Sequence, residues 1–444
     1  LTARPADAET WTGQWVTDRL DLRLTGSPAL KGLIGLALRE NPKRAHLLVS
    51  RVLGKHVPQR PAVVHGAGLD LGRRVRELLG EAEAARAVVL GYAETATALG
   101  HSVADGLDAP YLHSTRRPVA GVSPLGGFEE EHSHATSHLL LPEDPALLAG
   151  DGPLVLVDDE FSTGTTVINT VRALHAAHPR ERYVVVALVD LRTDADRARL
   201  AEAAAGIGAR VDLVAAATGG VRLPADALER ARELIAAAPA AAAPDGAPAP
   251  LVRARMEWPA GLPDGGRHGF TPAHRLHLDA LLPAAAEALA EALTDGADAP
   301  PRAGGGVLVL GFEELMYTPL RLAQALDEQL GGDRVRFSTT TRSPVLAVDD
   351  PGYAIRTRLA FPAHDDPADG AGTRFAYNVA PGADPARRFE AIVLVVDEVA
   401  DTPALHEGEH ALLAQLRRVT DRVVLAVLPS YRAVPPAYPA ATPA

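Results

Sequence analysis

The chain has 444 residues, with 44 Lys+Arg against 56 Asp+Glu and a formal net charge of -12 at pH 7. That balance excludes a general binder of nucleic acid or anionic membranes, which needs an excess of basic side chains. The absence of Cys excludes disulfides, thiol nucleophiles, thiolate zinc sites and iron–sulfur clusters.

At 47% hydrophobic and 4% aromatic, the composition predicts a globular protein with aliphatic, Ala-rich cores. The length predicts two or three domains. No apolar run approaches the roughly 18–20 residues of a bilayer span, and no charged-then-apolar leader opens the chain. A soluble, cytoplasmic protein is expected, and Leu1 in place of an initiating Met leaves room for a preceding segment.

In chain order, residues 41–58 (NPKRAHLLVSRVLGKHVP) concentrate basic side chains in an otherwise acidic protein. GAGLDLG at 66–72 has the wrong spacing for a dinucleotide fingerprint and reads as a helix-entry turn. Aliphatic runs at 87–90 (AVVL), 154–157 (LVLV) and 184–189 (VVVALV) predict buried strands. Each precedes a helical pattern, at 95–106, 165–176 and 194–204, and such alternation predicts a parallel sheet with crossover helices. Residues 119–136, rich in Gly, Glu and His and without periodicity, read as a mobile loop. The Ala/Pro stretch 236–250 is a linker, residues 295–306 form a loop before an apolar strand, and the tail from 429 carries too many prolines to be structured alone.

The second half repeats the first. Residues 88–107 match 308–330, STRRPV at 114–119 matches TTRSPV at 340–345, and LVLVDDEFSTGTT at 154–166 matches VLVVDEVADTPAL at 393–405. Three matched blocks in one order predict a duplicated fold. The expected division is 1–235, linker 236–250, 251–428, and tail 429–444.

The chemistry concentrates at 154–166. A buried strand ends in two carboxylates, Asp158 and Asp159, followed by a turn of Ser162, Thr163, Gly164, Thr165 and Thr166 that opens a helix. Open α/β sheets bind ligands at the carboxyl ends of their strands. Backbone N–H groups, hydroxyls and a helix N-terminus together cradle a phosphate, and Gly164 lets the backbone come close. The acid pair suits two neighbouring hydroxyls. A phosphate beside a vicinal diol describes ribose 5-phosphate.

This segment resembles the thirteen-residue phosphoribosyl-pyrophosphate (PRPP) motif of type I phosphoribosyltransferases. The resemblance implies an α/β fold of two tandem type I phosphoribosyltransferase-like, Rossmann-like parallel-sheet domains, the second degenerate. It implies that Asp158 and Asp159 hold the ribose hydroxyls and oppose positive charge at C1, while residues 162–166 bind the 5-phosphate. In several purine-salvage members a catalytic acid stands where this chain has Ser162. Glu160 is a possible extra acid, with a surface carboxylate the preferred reading. Ala93, Glu94, Thr95 and Ala96 in GYAETAT would form the diphosphate loop. Arg116 and Arg117 in STRRP would reach the diphosphate, Arg116 with a catalytic part, unless they are an exposed basic pair. The loop at 119–136 would close over the site, with His132 and His134 as lid residues; with His138 they read alternatively as a metal cluster. The basic N-terminal block would be a hood reading the acceptor, with Lys55 and His56 as its candidates. Mg²⁺ would be bound mainly through PRPP, with no certain protein ligand.

With its C-terminal Thr341-Arg342-Ser343-Pro344 block, the chain more specifically resembles phosphoribosyltransferase–TRSP fusion proteins of tellurite-resistance-type gene clusters, inferred to make a nucleoside-like metabolite. The implied activity is transfer of ribose 5-phosphate to a small heterocycle with diphosphate release. The expected partners are PRPP and that acceptor, not nucleic acid or membrane, in a monomer with an internal pseudo-dimer or in a homodimer. A PRPP-sensing regulator without turnover, and phosphorolysis or hydrolysis of a nucleotide at the same site, are the alternatives. In the second half Asp397 and Glu398 keep an acidic pair, but Pro403 and the loss of Gly and hydroxyls argue against a phosphate cradle. Arg342, Arg356 and Arg358 are an alternative anion site.

Overall fold

The computed structural model describes residues 10–41, 44–119, 122, 124–129, 137–239, 244–295, 301–365 and 372–431. In the first half the strands are β1 (Arg23–Gly26), β2 (Ile34–Asn41), β3 (Arg44–Ser50), β4 (Val88–Gly91), β5 (Tyr111–His113), β6 (Gly126–Glu129), β7 (Ser137–Leu140), β8 (Leu154–Phe161), β9 (Arg182–Asp190) and β10 (Arg210–Arg222). The second half supplies β11 (Leu251–Arg253), β12 (Val307–Gly311), β13 (Val335–Thr339), β14 (Arg358–Pro362), β15 (Thr373–Tyr377), β16 (Ala391–Asp397) and β17 (Arg422–Leu428).

The first sheet runs β1-β10-β9-β8-β4-β5, parallel throughout except for the antiparallel edge pair β1–β10. The second, β11-β17-β16-β12-β13, is wholly parallel. The aliphatic runs at β4, β8 and β9 are strands, as their lack of alternation predicts for a sheet covered on both faces; Val155, Leu156, Val184 and Val186 are fully buried. The expected helices form as Thr97–Leu107, Thr165–Ala177 and Asp194–Ile207. The last begins in a capping box between Thr193 and Asp196 and stops at left-handed Gly208.

The order β5-β4-β8-β9 recurs as β13-β12-β16-β17. The fifth place is filled by β10 in one sheet and by β11, which precedes β12 in the chain, in the other. Helices Pro61–Leu79 and Pro272–Thr294 lead into β4 and β12, each with Pro in its first turn. The residue two positions ahead of each helix crosses to the other half. Gln59 exchanges two backbone hydrogen bonds with Phe337 on edge strand β13, and Phe270 exchanges two with Tyr111 on edge strand β5. The hairpins β6–β7 and β14–β15 correspond as well, held through Thr115–Leu139 and Thr341–Phe375 bridges. One apolar core runs through both halves, joining Leu36 and Val89 to Leu320 and Phe337.

One expectation is corrected here. Residues 66–72 lie inside helix Pro61–Leu79, not at a helix entry. The glycines serve helix–helix approach: a Cβ on Gly72 would sit 2.2 Å from the Val103 carbonyl oxygen, and one on Gly68 would sit 2.3 Å from Ser102 Cβ. The Ala/Pro stretch makes hydrogen bonds to the second half near its end. Ala249 N–H donates to the Arg417 carbonyl at 2.7 Å, and Arg418 donates to the Gly246 carbonyl at 3.1 Å. Residues 296–300 and 432–444 lie outside the described residues.

Candidate functional site

β8 delivers the adjacent Asp158 and Asp159 to the carboxyl end of the first sheet, followed on the strand by Glu160 and Phe161 and then by the turn into helix Thr165–Ala177. Gly164, with φ 80°, closes that turn as the helix N-cap. A Cβ there would lie in the left-handed region and 3.3 Å from the Phe161 ring. The Thr163 hydroxyl meets the Thr165 hydroxyl at 3.3 Å, so the two side chains line one lip of the turn. The first N–H groups of a helix have no partners within it, which suits the start of this helix to binding an anion.

A cavity of about 840 Å³ opens over the turn. It is lined by Asp158, Asp159 and residues 162–166, by Ala93, Glu94, Thr95 and Arg116, and by Lys55 and His56. The residues expected to form a sugar-phosphate site are thus brought together from four separate stretches of chain. The loop after β4 is fixed by the Ala93 N–H, which donates to Ser114 Oγ at 3.0 Å; that hydroxyl also meets His138 Nδ1 at 2.8 Å. Lys55 is buried, 3.3 Å from the Glu94 carboxylate, and donates to Thr95 Oγ1 at 2.9 Å. Burial, then the Lys55 and Arg39 cations, hold the His56 imidazole well below its usual range, so it is neutral.

The second half enters the same cavity. Thr341, Arg342, Ser343 and Pro344 form part of its wall. Arg342 is ion-paired to Glu313, which also receives Arg374. Glu314 binds the neighbouring stretch of the first half: Thr115 Oγ1 donates to it at 2.7 Å and the Arg116 N–H at 3.2 Å. Burial alone would raise the Glu314 carboxyl, but Arg267, His113, Arg117 and the Thr115 hydrogen bond hold it far below the usual carboxylate range. The other wall is the β2–β3 hairpin, which contributes Arg39, Arg44 and His46. Arg44 belonged to the basic block singled out in the sequence. Arg39 and His46 carry no local signal, because only the pairing of β2 with β3 turns them inward.

Four expectations change. Arg117 does not line the cavity: it is buried in the second half, 2.7 Å from Asp365 and 3.6 Å from Asp397. Ala96 is fully buried as the N-cap of helix Thr97–Leu107 and is likewise absent from the lining. Glu160 is not a surface carboxylate but faces the cavity. Arg356 and Arg358 pair with Asp349 and Glu40, so they do not join Arg342 in an anion site. His132 and His134 lie outside the described residues. Among the described residues no group of three or more His, Asp or Glu side chains is placed to hold a metal.

At the corresponding end of β16, Asp397 is buried and accepts a hydrogen bond from the Ala400 N–H at 3.1 Å, closing a short 3₁₀ turn where the first half has its open turn.

A family model described as "Phosphoribosyl transferase" matches residues 33–220, and one described as "TRSP domain C terminus to PRTase_2", the TRSP domain that follows that transferase domain, matches residues 264–416. No curated protein matches the chain. Among solved structures, it is similar to adenine phosphoribosyltransferase from Trypanosoma brucei, at 16% identity over 41% of this chain and 76% of that one, with a TM-score of 0.29. It is also similar to the enzyme from Giardia lamblia, at 19% over 41% and 93% with a TM-score of 0.30. A third similar structure is orotate phosphoribosyltransferase from Aeropyrum pernix, at 23% over 42% and 88% with a TM-score of 0.25.

Proposed function

The chain belongs to the phosphoribosyltransferase family, as a PRTase_2 domain followed by its C-terminal TRSP domain, and on that premise we propose that it transfers ribose 5-phosphate from PRPP to a small heterocycle with release of diphosphate, in the making of a nucleoside-like metabolite. The observation that carries the reading is the shared cavity: acid pair, hydroxyl-lined turn, β4 loop and Arg116 all face one space.

In this reading residues 162–166 bind the 5-phosphate through N–H groups and hydroxyls. Asp158 and Asp159 accept from the ribose 2- and 3-hydroxyls. Their charge also stabilises the positive centre that develops at C1 as the C1–O bond to diphosphate breaks, an electrostatic contribution that is strong in a partly dehydrated cleft. Ala93, Glu94, Thr95 and Arg116 face the leaving group. Holding both reactants in one cavity supplies the rest of the rate. Mg²⁺ would enter with the substrate, held by diphosphate and ribose oxygens and by water, as suits a hard cation at a phosphate site; when bound it neutralises the departing charge.

The test is the double variant Asp158→Asn, Asp159→Asn. It is expected to keep the wild-type melting curve and to lose diphosphate release by at least 100-fold. Turnover equal to wild type would refute the reading.

A further inference from the structure

A ring nitrogen that bears a hydrogen must shed that proton when it attacks C1, so a base is wanted beside the attacking atom. The phosphate turn offers only hydroxyls and backbone N–H groups. Glu160 stands two residues beyond Asp158 on β8, paired with Val189 as Asp158 is paired with Ala187. Alternate residues of a strand share a face, at a spacing of about 6.6 Å. Glu160 therefore lies about the width of one heterocyclic ring from the carboxylate read as holding the ribose, inside the same cavity. It takes part in no hydrogen bond or ion pair among the described residues.

The cavity that Glu160 lines suits a flat ring with a polar edge. Leu191, Val221, Leu223 and Leu228 give it an apolar wall, and the stretches after β9 and β10 and the helix Ala227–Ala237 add no charged side chain to the lining. The charges that face Glu160 are Arg44 and Arg39 from the hairpin and Asp159 from its own strand. Arg44 has no ion-pair partner among the described residues and is available to an acceptor carbonyl.

Resting on the phosphoribosyl-transfer reading, we propose that Glu160 is the general base of the reaction. Its carboxylate takes the proton from the attacking ring nitrogen as the N–C1 bond forms, while the C1–O bond breaks and its electron pair leaves with diphosphate. The competing bases are weaker. Burial, then Arg44 and Arg39, lowers His46 to about 4, and His56 is lowered well below its usual range. Burial raises the Glu160 carboxyl against the pull of Arg44, Asp159 raises it further, and Arg39 opposes; the net direction is upward, toward greater basicity. His138 is engaged by Ser114 beside the β4 loop.

The experiment compares the full-length wild type, E160Q and E160D. Mg²⁺-PRPP binding is measured by titration calorimetry, and diphosphate release is measured from pH 4 to 9 with adenine, hypoxanthine, uracil, orotate or water as acceptor. The expected result is PRPP affinity within about 2-fold for all three proteins and at least a 100-fold lower rate for E160Q. E160Q should also lose the rise in rate with pH that marks deprotonation of the base, and E160D should recover part of the rate. An E160Q rate within 3-fold of wild type with the same pH profile overturns the assignment. So does a wild type that binds PRPP and releases diphosphate to none of these acceptors. Failure of the wild type to bind PRPP at all instead strikes the phosphoribosyl-transfer reading, and the base falls with it.

Discussion

Strands β8 and β16 occupy the same place in their sheets, and both end in an acidic pair, Asp158-Asp159 in one and Asp397-Glu398 in the other. Past that point they diverge. After β8 come a left-handed glycine and a helix of 13 residues whose first residues line a cavity. After β16 come a 3₁₀ turn that uses the Asp397 carboxylate as its own cap, and then Pro403, which lacks an N–H. The space in front of Asp397 is taken by Arg117 from the other half. Two acids at a strand end are therefore not a site; the turn that follows and the freedom of the space before them decide.

That difference can be broken at its strongest point first. Replacing Arg117 by Ala removes the cation 3.6 Å from buried Asp397 and the one 2.7 Å from buried Asp365, which keeps Arg342 and Arg374 at 3.8 Å. Loss of one partner of a buried pair costs about 3–5 kcal/mol. The urea midpoint should fall accordingly, with PRPP affinity in the remaining folded protein little changed. Next, Gly164→Val forces a side chain into the left-handed turn against Phe161, and should weaken PRPP binding about 100-fold, about 2.7 kcal/mol. The mirrored change Glu398→Gln should leave PRPP binding unaltered in the same calorimetric assay.

The mildest probe is pH. His113 and His46 are lowered to about 4 and His268 to about 3, in each case first by burial. Below the ordinary pKa of about 6.5 the unfolded chain takes up protons that these imidazoles refuse, so each contributes stability that is lost as pH falls from about 6.5 toward 4 or 3. Asp264 and Glu313, raised by burial to about 6 and about 7, act in the opposite sense: their contribution grows as pH falls through the folded value and is fully present only below the unfolded one. The histidines outnumber them, so stability at pH 5.5 should lie about 1 kcal/mol below that at pH 7, read from urea melts at each pH.

Much of this organisation is legible in the chain. β4, β8 and β9 are unbroken aliphatic runs, and the acid pair with its glycine turn is local, so both can be read residue by residue. β10 is not: its centre, AAATGG, has little β-branched character. Gly219 is there because a Cβ would strike Thr25 of the antiparallel edge strand, a long-range reason. Neighbours Arg116 and Arg117 are indistinguishable in sequence, yet one faces the cavity and the other is locked into the second half. Glu160 looks solvent-facing until the β2–β3 hairpin closes over it. Local chemistry was readable; what faced it across the fold was not.

The exchanged contacts of Gln59 with Phe337 and of Phe270 with Tyr111 have a practical corollary for anyone dividing this polypeptide. Cut between helix Ala227–Ala237 and β11, the polypeptide gives two fragments, and each would carry an uncovered outer strand whose natural cover is on the other piece. Expressed singly, such fragments invite self-association along those open edges; expressed together, they hold reciprocal templates for rebuilding the whole. The bond that joins the halves in sequence is then less essential than the pair of ribbons they trade.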